Sequence, residues 1–297
     1  MTRPRPLSLS AAALALALPA LLSACGGSSE AKDDKPSFDE SAPLHSALPE
    51  DLRDAQSITI ASNVEYPPFE FFDTDNKTVL GIDREIADGL EKQLGIDIEF
   101  ENIAFDAIIP GLASGRYQMA MSAMTDNLER QKEVDFVDYF AAGGGIMAHE
   151  DEADEYADLD DLCGVTAGIV KGTTEVAHAE EQSEKCEAEG KEPIESVIFP
   201  GQNQVILALQ NDRVDVVLMD SAPGAYAASQ TEGLVMSKPY QSQPFGIVFA
   251  KGTDELQKAV QKGLEALRDN GEYLAALEKY GLESGAVEEF PINGGTE

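Results

Sequence analysis

Basic side chains are scarce in this chain. Lysine and arginine together number 21, against 55 aspartates and glutamates, which gives a formal net charge of −34 at pH 7. A surface this acidic repels nucleic-acid phosphates and anionic lipid head groups. The composition therefore argues against a nucleic-acid-binding function. It leaves the charge of a small ligand open, because a binding cleft is a local environment.

The residue types and motifs that support most catalytic sites are also few. The only histidines are His45, His149 and His178, and no Cys/His spacing is typical of a metal site. No glycine-rich phosphate loop ending in Gly-Lys-Ser/Thr occurs. The acidic run over residues 150–155 indicates a solvated surface, with metal binding as the minor alternative. We predict no metal, no cofactor and no catalytic residue.

Long apolar runs are missing after residue 22. The one such run, residues 7–22, follows Arg3 and Arg5 and is short for a membrane span. It predicts a secretory signal peptide over residues 1–24. Cys25 follows Leu22, Ser23 and Ala24 and so resembles the lipidated cysteine of a bacterial lipobox. The alternative is an ordinary signal peptide with a chance cysteine. We expect an exported chain that a lipid anchors to the outer face of the bacterial cytoplasmic membrane and that touches the membrane through this anchor alone.

Residues 25–54 have no apolar periodicity and contain several acids and prolines. Such a segment cannot bury enough surface to offset its chain entropy. The sequence predicts a flexible acidic tether over these residues.

Two cysteines, Cys163 and Cys186, remain after the lipobox. In an exported chain they can form a single disulfide. Two buried free thiols are the alternative.

Apolar periodicity predicts alternating strands and helices after the tether. Residues 57–61 alternate like a strand, and Ile82, Ile86, Leu90 and Leu94 form one stripe of a helix that Gly95 ends. A second series of similar elements begins near Cys163. The pattern predicts an α/β fold in which mostly parallel sheets are flanked by helices.

Residues 105–140 contain the most informative pattern. A helix, a short apolar strand and a loop bring Thr125 and Arg130 close in sequence. Arginine can grip a carboxylate with two parallel hydrogen bonds. This segment resembles the first-lobe core of the bacterial extracellular solute-binding proteins of family 3, the amino-acid receptors of ABC importers, and the resemblance extends over residues 57–282. Without it, Arg130 would be interpreted as a surface ion-pair residue.

The resemblance implies a two-lobe clamshell of the type II periplasmic-binding-protein class. Lobe 1 would comprise residues 55–142 and 239–297, and lobe 2 residues 143–238, with crossings near residues 139–145 and 238–245. The receptor would be a monomer that closes around a polar L-amino acid. Its permease and ATPase would be separate chains.

Six residues match the ligand-contact pattern of the family: Tyr66, Phe105, Thr125, Arg130, Thr174 and Asp220. The resemblance implies that the two aromatic rings wall the ligand side chain. It also implies that Arg130, Thr125 and Thr174 hold the α-carboxylate and that Asp220 holds the α-ammonium. Each residue also has a purely structural interpretation; Asp220, for example, is a good helix N-cap.

The sequence departs from the family where the ligand side chain would lie. Asn63 stands where receptors for basic amino acids often place an acid, while Glu65 and Glu70 are acids of unknown direction. An uncharged, glutamine-like ligand is our first expectation, and arginine, lysine or histidine the second.

Two other functions are compatible with the same fold. A periplasmic dehydratase or lyase would need an acid with a raised pKa in the cleft, for which Glu65 and Glu70 are the candidates. A ligand sensor would present its closed form to a membrane signalling partner.

Overall fold

The computed structural model describes residues 38–296. The predicted signal peptide, the lipidation site Cys25 and the first part of the predicted tether lie outside these residues.

Strands and helices alternate through the first half of the described chain, as the periodicity predicts. Its elements are α1 (Glu50–Ala55), β1 (Ser57–Ser62), β2 (Glu65–Tyr66), β3 (Glu70–Phe72), β4 (Val79–Leu80), α2 (Ile82–Leu94), β5 (Asp97–Asn102), α3 (Ile108–Ala113), β6 (Met119–Thr125) and β7 (Val134–His149).

The second half repeats this alternation and ends in two helices. Its elements are β8 (Thr166–Val170), α4 (Thr174–Ala188), β9 (Glu195–Phe199), α5 (Gln202–Gln210), β10 (Val216–Asp220), α6 (Ser221–Ser229), β11 (Leu234–Met236), β12 (Tyr240–Ala250), α7 (Asp254–Asn270) and α8 (Glu272–Glu278).

Two long antiparallel strands, β7 and β12, run through the middle of the main sheet. The strand order is β5-β1-β6-β12-β7-β10-β8-β9, with β11 also paired to β7. On each side of the central pair the outer strands are parallel: β1 pairs with β5 and β6, and β8 pairs with β10 and β9. A small sheet, β2-β3-β4, lies apart. The fold is the α/β class with mostly parallel sheets that the sequence predicts.

The apolar core falls into clusters that follow the two sides of the sheet. One set of clusters draws its buried side chains from residues 48–142 and 245–290, and the other from residues 146–234. This partition agrees with the lobes implied by the resemblance. The lobe boundaries themselves remain a prediction.

Helix α2 illustrates how the sequence specifies a local element. Ile82, Ile86, Leu90 and Leu94 are each at most 1% exposed, because their spacing places them on one face. The helix ends at Gly95, which has φ +69°. A Cβ at Gly95 would lie 2.1 Å from the Asp39 carbonyl oxygen, so glycine is required here.

That contact belongs to a segment expected within the tether. Residues 38–54 are instead folded onto the domain: Leu48 and Leu52 are buried, and the His45 ring nitrogen Nδ1 lies 2.9 Å from the Leu94 carbonyl oxygen. The apolar residues of this segment are too few to show a period, yet Leu48 and Leu52 join the same core cluster as the buried residues of α2 and α7. Residues 25–37 lie outside the described range.

The predicted disulfide between Cys163 and Cys186 is confirmed, with an S–S distance of 2.04 Å and a Cα–Cα distance of 5.6 Å. It ties the segment before β8 to helix α4. None of the helices described is both long and apolar enough to cross a membrane.

Candidate functional site

Arg130 lies where the two halves of the chain meet. It follows β6 and opens a short 3-10 helix, and its backbone N–H donates to Asn127 Oδ1 (2.8 Å). Its Nη1 donates to the Thr125 carbonyl (2.6 Å) and its Nη2 to the Gly172 carbonyl (3.1 Å). The guanidinium therefore bridges β6 and the loop after β8.

The aromatic ring of Phe105 packs beneath this guanidinium. The Arg130 Cζ lies 5.7 Å from the Phe105 ring centroid, a cation–π arrangement that orients the charge. Burial lowers the pKa of Arg130, while Glu175, Asp220 and Asp126 oppose this shift. An arginine remains cationic under such conditions, so it can hold a carboxylate.

Asp220 ends β10 and points across the cleft. Its Oδ2 accepts a hydrogen bond from the Tyr66 hydroxyl at 2.7 Å. Asp220 is the N-cap residue of α6, as its structural interpretation predicts, but its side chain makes no capping hydrogen bond to that helix. Burial first, and then the charge of Glu175, raise the pKa of Asp220 well above its usual range, which Tyr66 and Arg130 only partly offset. An incoming ammonium would supply the missing counter-charge.

The start of α4 forms the opposite wall. Thr174 is the first residue of this 15-residue helix, and the Thr173 hydroxyl donates to the Val170 carbonyl (2.9 Å). Backbone amides in the first turn of an α-helix lack the usual i−4 acceptor, so this helix terminus favours an anion. Gly172 has φ +84°, and a Cβ there would lie 3.0 Å from the Asp106 Cβ, so the loop can approach the other side only as glycine. Lys171 reinforces that approach through an ion pair with Asp106 at 2.7 Å.

All six residues predicted from the sequence line one cleft. The cleft is narrow, and the volume that a water-sized molecule can enter is about 30 Å³. The lining residues are Asn63, Tyr66, Glu70, Phe105, Ala123, Thr125, Arg130, Val170, Thr173, Thr174, Glu175, Gln202 and Asp220.

Glu175 is the main lining residue that the sequence analysis missed. It is 2% exposed, and its Oε1 has no hydrogen-bond partner among residues 38–296. Its position directly after the Gly172-Thr173-Thr174 turn was the available signal. Gln202, which opens α5, was also missed; its amide nitrogen contacts the Met219 sulfur (3.3 Å).

The structure separates the two acids whose direction the sequence left open. Glu70 lines the cleft and is fully buried, with its Oε1 accepting from the Ser122 hydroxyl at 2.9 Å. Glu65 is not among the lining residues and lies against Gly201 instead. Asn63 lines the cleft, but its amide nitrogen donates to the Ile103 carbonyl (2.9 Å).

Burial and the charge of Asp83 raise the pKa of Glu70 well above its usual range. No group of three or more His, Cys, Asp and Glu side chains within residues 38–296 is arranged to hold a metal ion.

The cleft combines one guanidinium, the amides of a helix N-terminus, two aromatic side chains and three carboxyl groups. This set of groups suits a ligand that carries one anionic group and more than one cationic group.

Comparison with known proteins agrees with this geometry. Residues 58–283 match the bacterial extracellular solute-binding proteins, family 3. The arginine-binding protein ArgT of Corynebacterium glutamicum is 30% identical over 253 residues, which are 84% of this chain and 82% of ArgT. The putative ABC transporter arginine-binding protein 2 of Escherichia coli is 28% identical, over 76% of this chain and 91% of its own length.

A solved structure is similar over a comparable range. An ancestral arginine-binding protein bound to arginine superposes with a TM-score of 0.70 at 30% identity, covering 76% of this chain and 98% of the ancestral one. The chain described here is accordingly an extracellular binding protein for an amino acid in an ABC transporter, and not an enzyme. It belongs to the bacterial extracellular solute-binding proteins, family 3.

Proposed function

We propose that this protein is the receptor of an ABC importer for a cationic L-amino acid, with arginine as the first candidate. The observation that carries the proposal is the charge of the cleft lining, which contains Glu70, Glu175 and Asp220 against the single cation Arg130. The ligand carboxylate would engage Arg130 and its ammonium Asp220. One or two acids are then left for a charged side chain. A glutamine side chain would leave them without a counter-charge, which is costly in a buried site.

This proposal reverses the order of the expectations drawn from sequence. Asn63 cannot supply a counter-charge, and its amide nitrogen is engaged by the Ile103 carbonyl. The buried carboxyl of Glu70 lines the same cleft and can take that role. The arginine-binding names of the relatives support the same ligand class.

The proposed ligand lies between the aromatic side chains of Tyr66 and Phe105. Its carboxylate receives donors from Arg130, the hydroxyl of Thr125 and the first-turn amide and hydroxyl of Thr174. A planar guanidinium stacks well on flat rings, and it matches a carboxylate with two parallel hydrogen bonds.

Binding would stabilise a closed arrangement of the two predicted lobes, residues 55–142 with 239–297 and residues 143–238. Contacts such as Tyr66–Asp220 and Arg130–Gly172 join segments assigned to different lobes. A ligand that touches both sides shifts the equilibrium toward the state in which both sets of contacts exist.

The proposal includes an anchor and partners. Diacylated Cys25 would hold the chain at the outer face of the cytoplasmic membrane, where it delivers its ligand as a monomer to a separate permease and ATPase. Replacing Cys25 by alanine should move the protein from the membrane to the soluble exported fraction. Membrane association equal to that of the wild type would contradict the anchor.

The ligand proposal is tested by isothermal titration calorimetry of the full-length protein in detergent. Arginine, lysine, histidine, citrulline, glutamine and glutamate are compared. Arginine is expected to bind at least tenfold more tightly than citrulline, its uncharged isostere, because one buried ion pair is worth more than the roughly 1.4 kcal/mol that tenfold represents.

Two variants test the recognition of the ligand backbone. Arg130→Ala leaves a carboxylate without its partner, which costs roughly 3–5 kcal/mol and so at least about 100-fold in affinity for every ligand. Asp220→Asn should act similarly on the ammonium. Glutamine or glutamate binding more tightly than every cationic amino acid would disprove the proposed ligand class.

A further inference from the structure

Behind the cleft lies a pair of buried carboxyl groups that ligand recognition alone does not explain. Glu70 on β3 and Asp83 at the start of α2 are each 0% exposed. Glu70 accepts from the Ser122 hydroxyl (2.9 Å), and Asp83 Oδ1 accepts from the Tyr139 hydroxyl (2.6 Å). The other two oxygens, Glu70 Oε2 and Asp83 Oδ2, accept no hydrogen bond from any donor among residues 38–296. The Asp83 backbone N–H donates to the Phe69 carbonyl at 2.9 Å, which places Asp83 beside Glu70, and the two carboxyl groups interact.

The surroundings of the pair contain no compensating cation. The titratable groups that face it are Tyr139 from β7 and Asp220 from the end of β10, with Tyr273 of α8 bonded to the Tyr139 carbonyl behind them. The backbone N–H of Ala123 also faces Asp83. Within the described residues, no lysine, arginine or histidine forms an ion pair with Glu70 or Asp83.

Without a nearby cation, two adjacent carboxylates in a buried site cannot both be ionised, because each charge lacks solvent and repels the other. A single proton placed between Glu70 Oε2 and Asp83 Oδ2 removes one charge and satisfies both orphaned oxygens. Burial is the largest cause that raises the pKa of each group, to about 6 for Asp83 and well above the usual range for Glu70. The apparent values belong to the pair as a unit.

We propose that Glu70 and Asp83 share one proton until a cationic ligand side chain reaches Glu70, and that binding of this cation displaces the proton into solvent. Asp83 is then a positioning residue: it shares the proton with Glu70 and does not touch the ligand itself. Before binding, the pair carries one shared proton. After binding, both carboxyl groups are ionised, the ligand cation lies at Glu70, and the proton is in water. The inference rests on the proposed function in one respect, the cationic ligand.

The consequence is a pH dependence that separates charged from uncharged side chains. Proton release makes arginine affinity rise with pH, by at most about tenfold per pH unit for one proton. Citrulline has the same shape without the cation, so its affinity should lack this component. Asp220 and the ligand ammonium contribute equally to both ligands and cancel in the difference.

The test is calorimetric titration of the full-length protein near pH 6 in two buffers of different ionisation enthalpy. The difference gives the number of protons released for arginine and for citrulline. Wild-type protein is expected to release about one proton more with arginine than with citrulline. Asp83→Asn should bring this excess close to zero, because an amide can donate to Glu70 Oε2 and accept from Tyr139 without a shared proton.

A matched control is Asp138→Asn, which alters a second pair of buried carboxyl groups, Asp126 and Asp138, neither of which lines the cleft. The excess should stay at its wild-type value in that variant. A second measurement needs no variant: in difference infrared spectra of the wild type, arginine should remove a protonated-carboxyl band that citrulline leaves in place. Hence a poorly folded Asp83→Asn protein would not prevent the test.

The outcomes separate the inference from the proposed function. If arginine binds more tightly than citrulline but releases the same number of protons and leaves the infrared band unchanged, the shared proton is wrong and the ligand class stands. If only neutral amino acids bind, both are wrong. If the Asp83→Asn protein still releases about one proton more with arginine than with citrulline, the proton belongs to another group and the role of Asp83 is wrong.

Discussion

Two buried carboxyl pairs in this protein have the same chemistry but different surroundings. Glu70 and Asp83 border the cleft, whereas Asp126 and Asp138 lie under the segment 290–296. Asp126 and Asp138 are at most 1% exposed, and burial together with Asp126 raises the pKa of Asp138 to about 8. The difference is whether a ligand can reach the pair. A ligand in the cleft can displace a proton from Glu70 and Asp83, whereas Asp126 and Asp138 are contacted by other parts of the protein.

Backbone amides complete the second pair. Gly295 N–H donates to Asp126 Oδ2 (2.8 Å) and Gly294 N–H to Asp138 Oδ2 (3.1 Å). A Cβ at Gly295 would lie 2.3 Å from the Asp126 carbonyl oxygen, so only glycine fits. These hydrogen bonds hold residues 290–296 against β7, and Ile292 forms an isolated β-bridge with Val137 of that strand.

The largest expected contrast between the pairs is in ligand affinity. Glu70→Gln should lower arginine affinity roughly 30- to 4,000-fold, because removing one partner of a desolvated charge pair costs about 2–5 kcal/mol. Asp138→Asn should stay within about threefold of the wild type, and Glu65→Gln, an acid outside the cleft lining, serves as the control. Calorimetry with arginine measures all three. Equal losses in Glu70→Gln and Asp138→Asn would abolish the distinction between the pairs.

The next effect concerns stability at the second pair. Gly295→Ala forces a methyl group against the Asp126 backbone and should lower the free energy of unfolding by about 1–3 kcal/mol. Thr296→Ala, the exposed neighbour, should change it by no more than about 0.5 kcal/mol. Chemical denaturation provides the measurement. A Gly295→Ala protein as stable as the wild type would mean that the segment contributes nothing to the fold.

The next effect, smaller for each single pH unit, is the pH dependence of stability. An unfolded aspartate titrates near 3.9, while the pKa of Asp138 in the folded protein is about 8. Between about pH 4 and 8 the folded state therefore holds the extra proton, and stability falls as the pH rises, by up to roughly 1.4 kcal/mol per pH unit for one proton.

Asp138→Asn should make this decline shallower, and Glu184→Gln, an exposed change on α4, should not. Denaturation curves at pH 5, 6, 7 and 8 measure the slope. An unchanged slope in Asp138→Asn would show that the proton does not reside on this pair.

The smallest expected effect returns to the first pair. Ser122→Ala removes the hydroxyl that donates to Glu70 Oε1 and so disfavours the ionised form. Arginine affinity should fall by about 3- to 10-fold, in line with the loss of one hydrogen bond of about 1 kcal/mol. Citrulline affinity should change less, and calorimetry with both ligands checks this. A larger loss for citrulline than for arginine would contradict an ionised Glu70 in the arginine complex.

Much of the fold follows from local sequence patterns. The stripe of α2 and its end at Gly95 were predicted correctly, because a helix face and a left-handed glycine are properties of neighbouring residues. The disulfide also followed, since an exported chain offered a single remaining pair of cysteines. Residues 38–54 were missed because their few apolar side chains have no period of their own.

The candidate site was predictable only where a motif carried it. All six residues matched to the family line the cleft, including Arg130 and Asp220. The place of Glu175 in the cleft and the direction of the Glu70 side chain were not predictable. A sequence does not show whether a carboxylate beside a motif faces the solvent or the cleft. Their burial depends on strands and helices that are distant along the chain.

The sequence by itself therefore determined the α/β alternation and the disulfide, since each depends on local spacing or on residue type. The resemblance to the family supplied the residues proposed to recognise the amino-acid backbone. Only the tertiary structure decided the charge balance of the cleft. It brings Glu70, Glu175 and Asp220 from three separate segments around one arginine. It also sets Asp83 behind Glu70 and closes the second acid pair with residues 290–296. The physical reason is that desolvation and charge repulsion act through space, and a linear pattern contains neither distance nor burial.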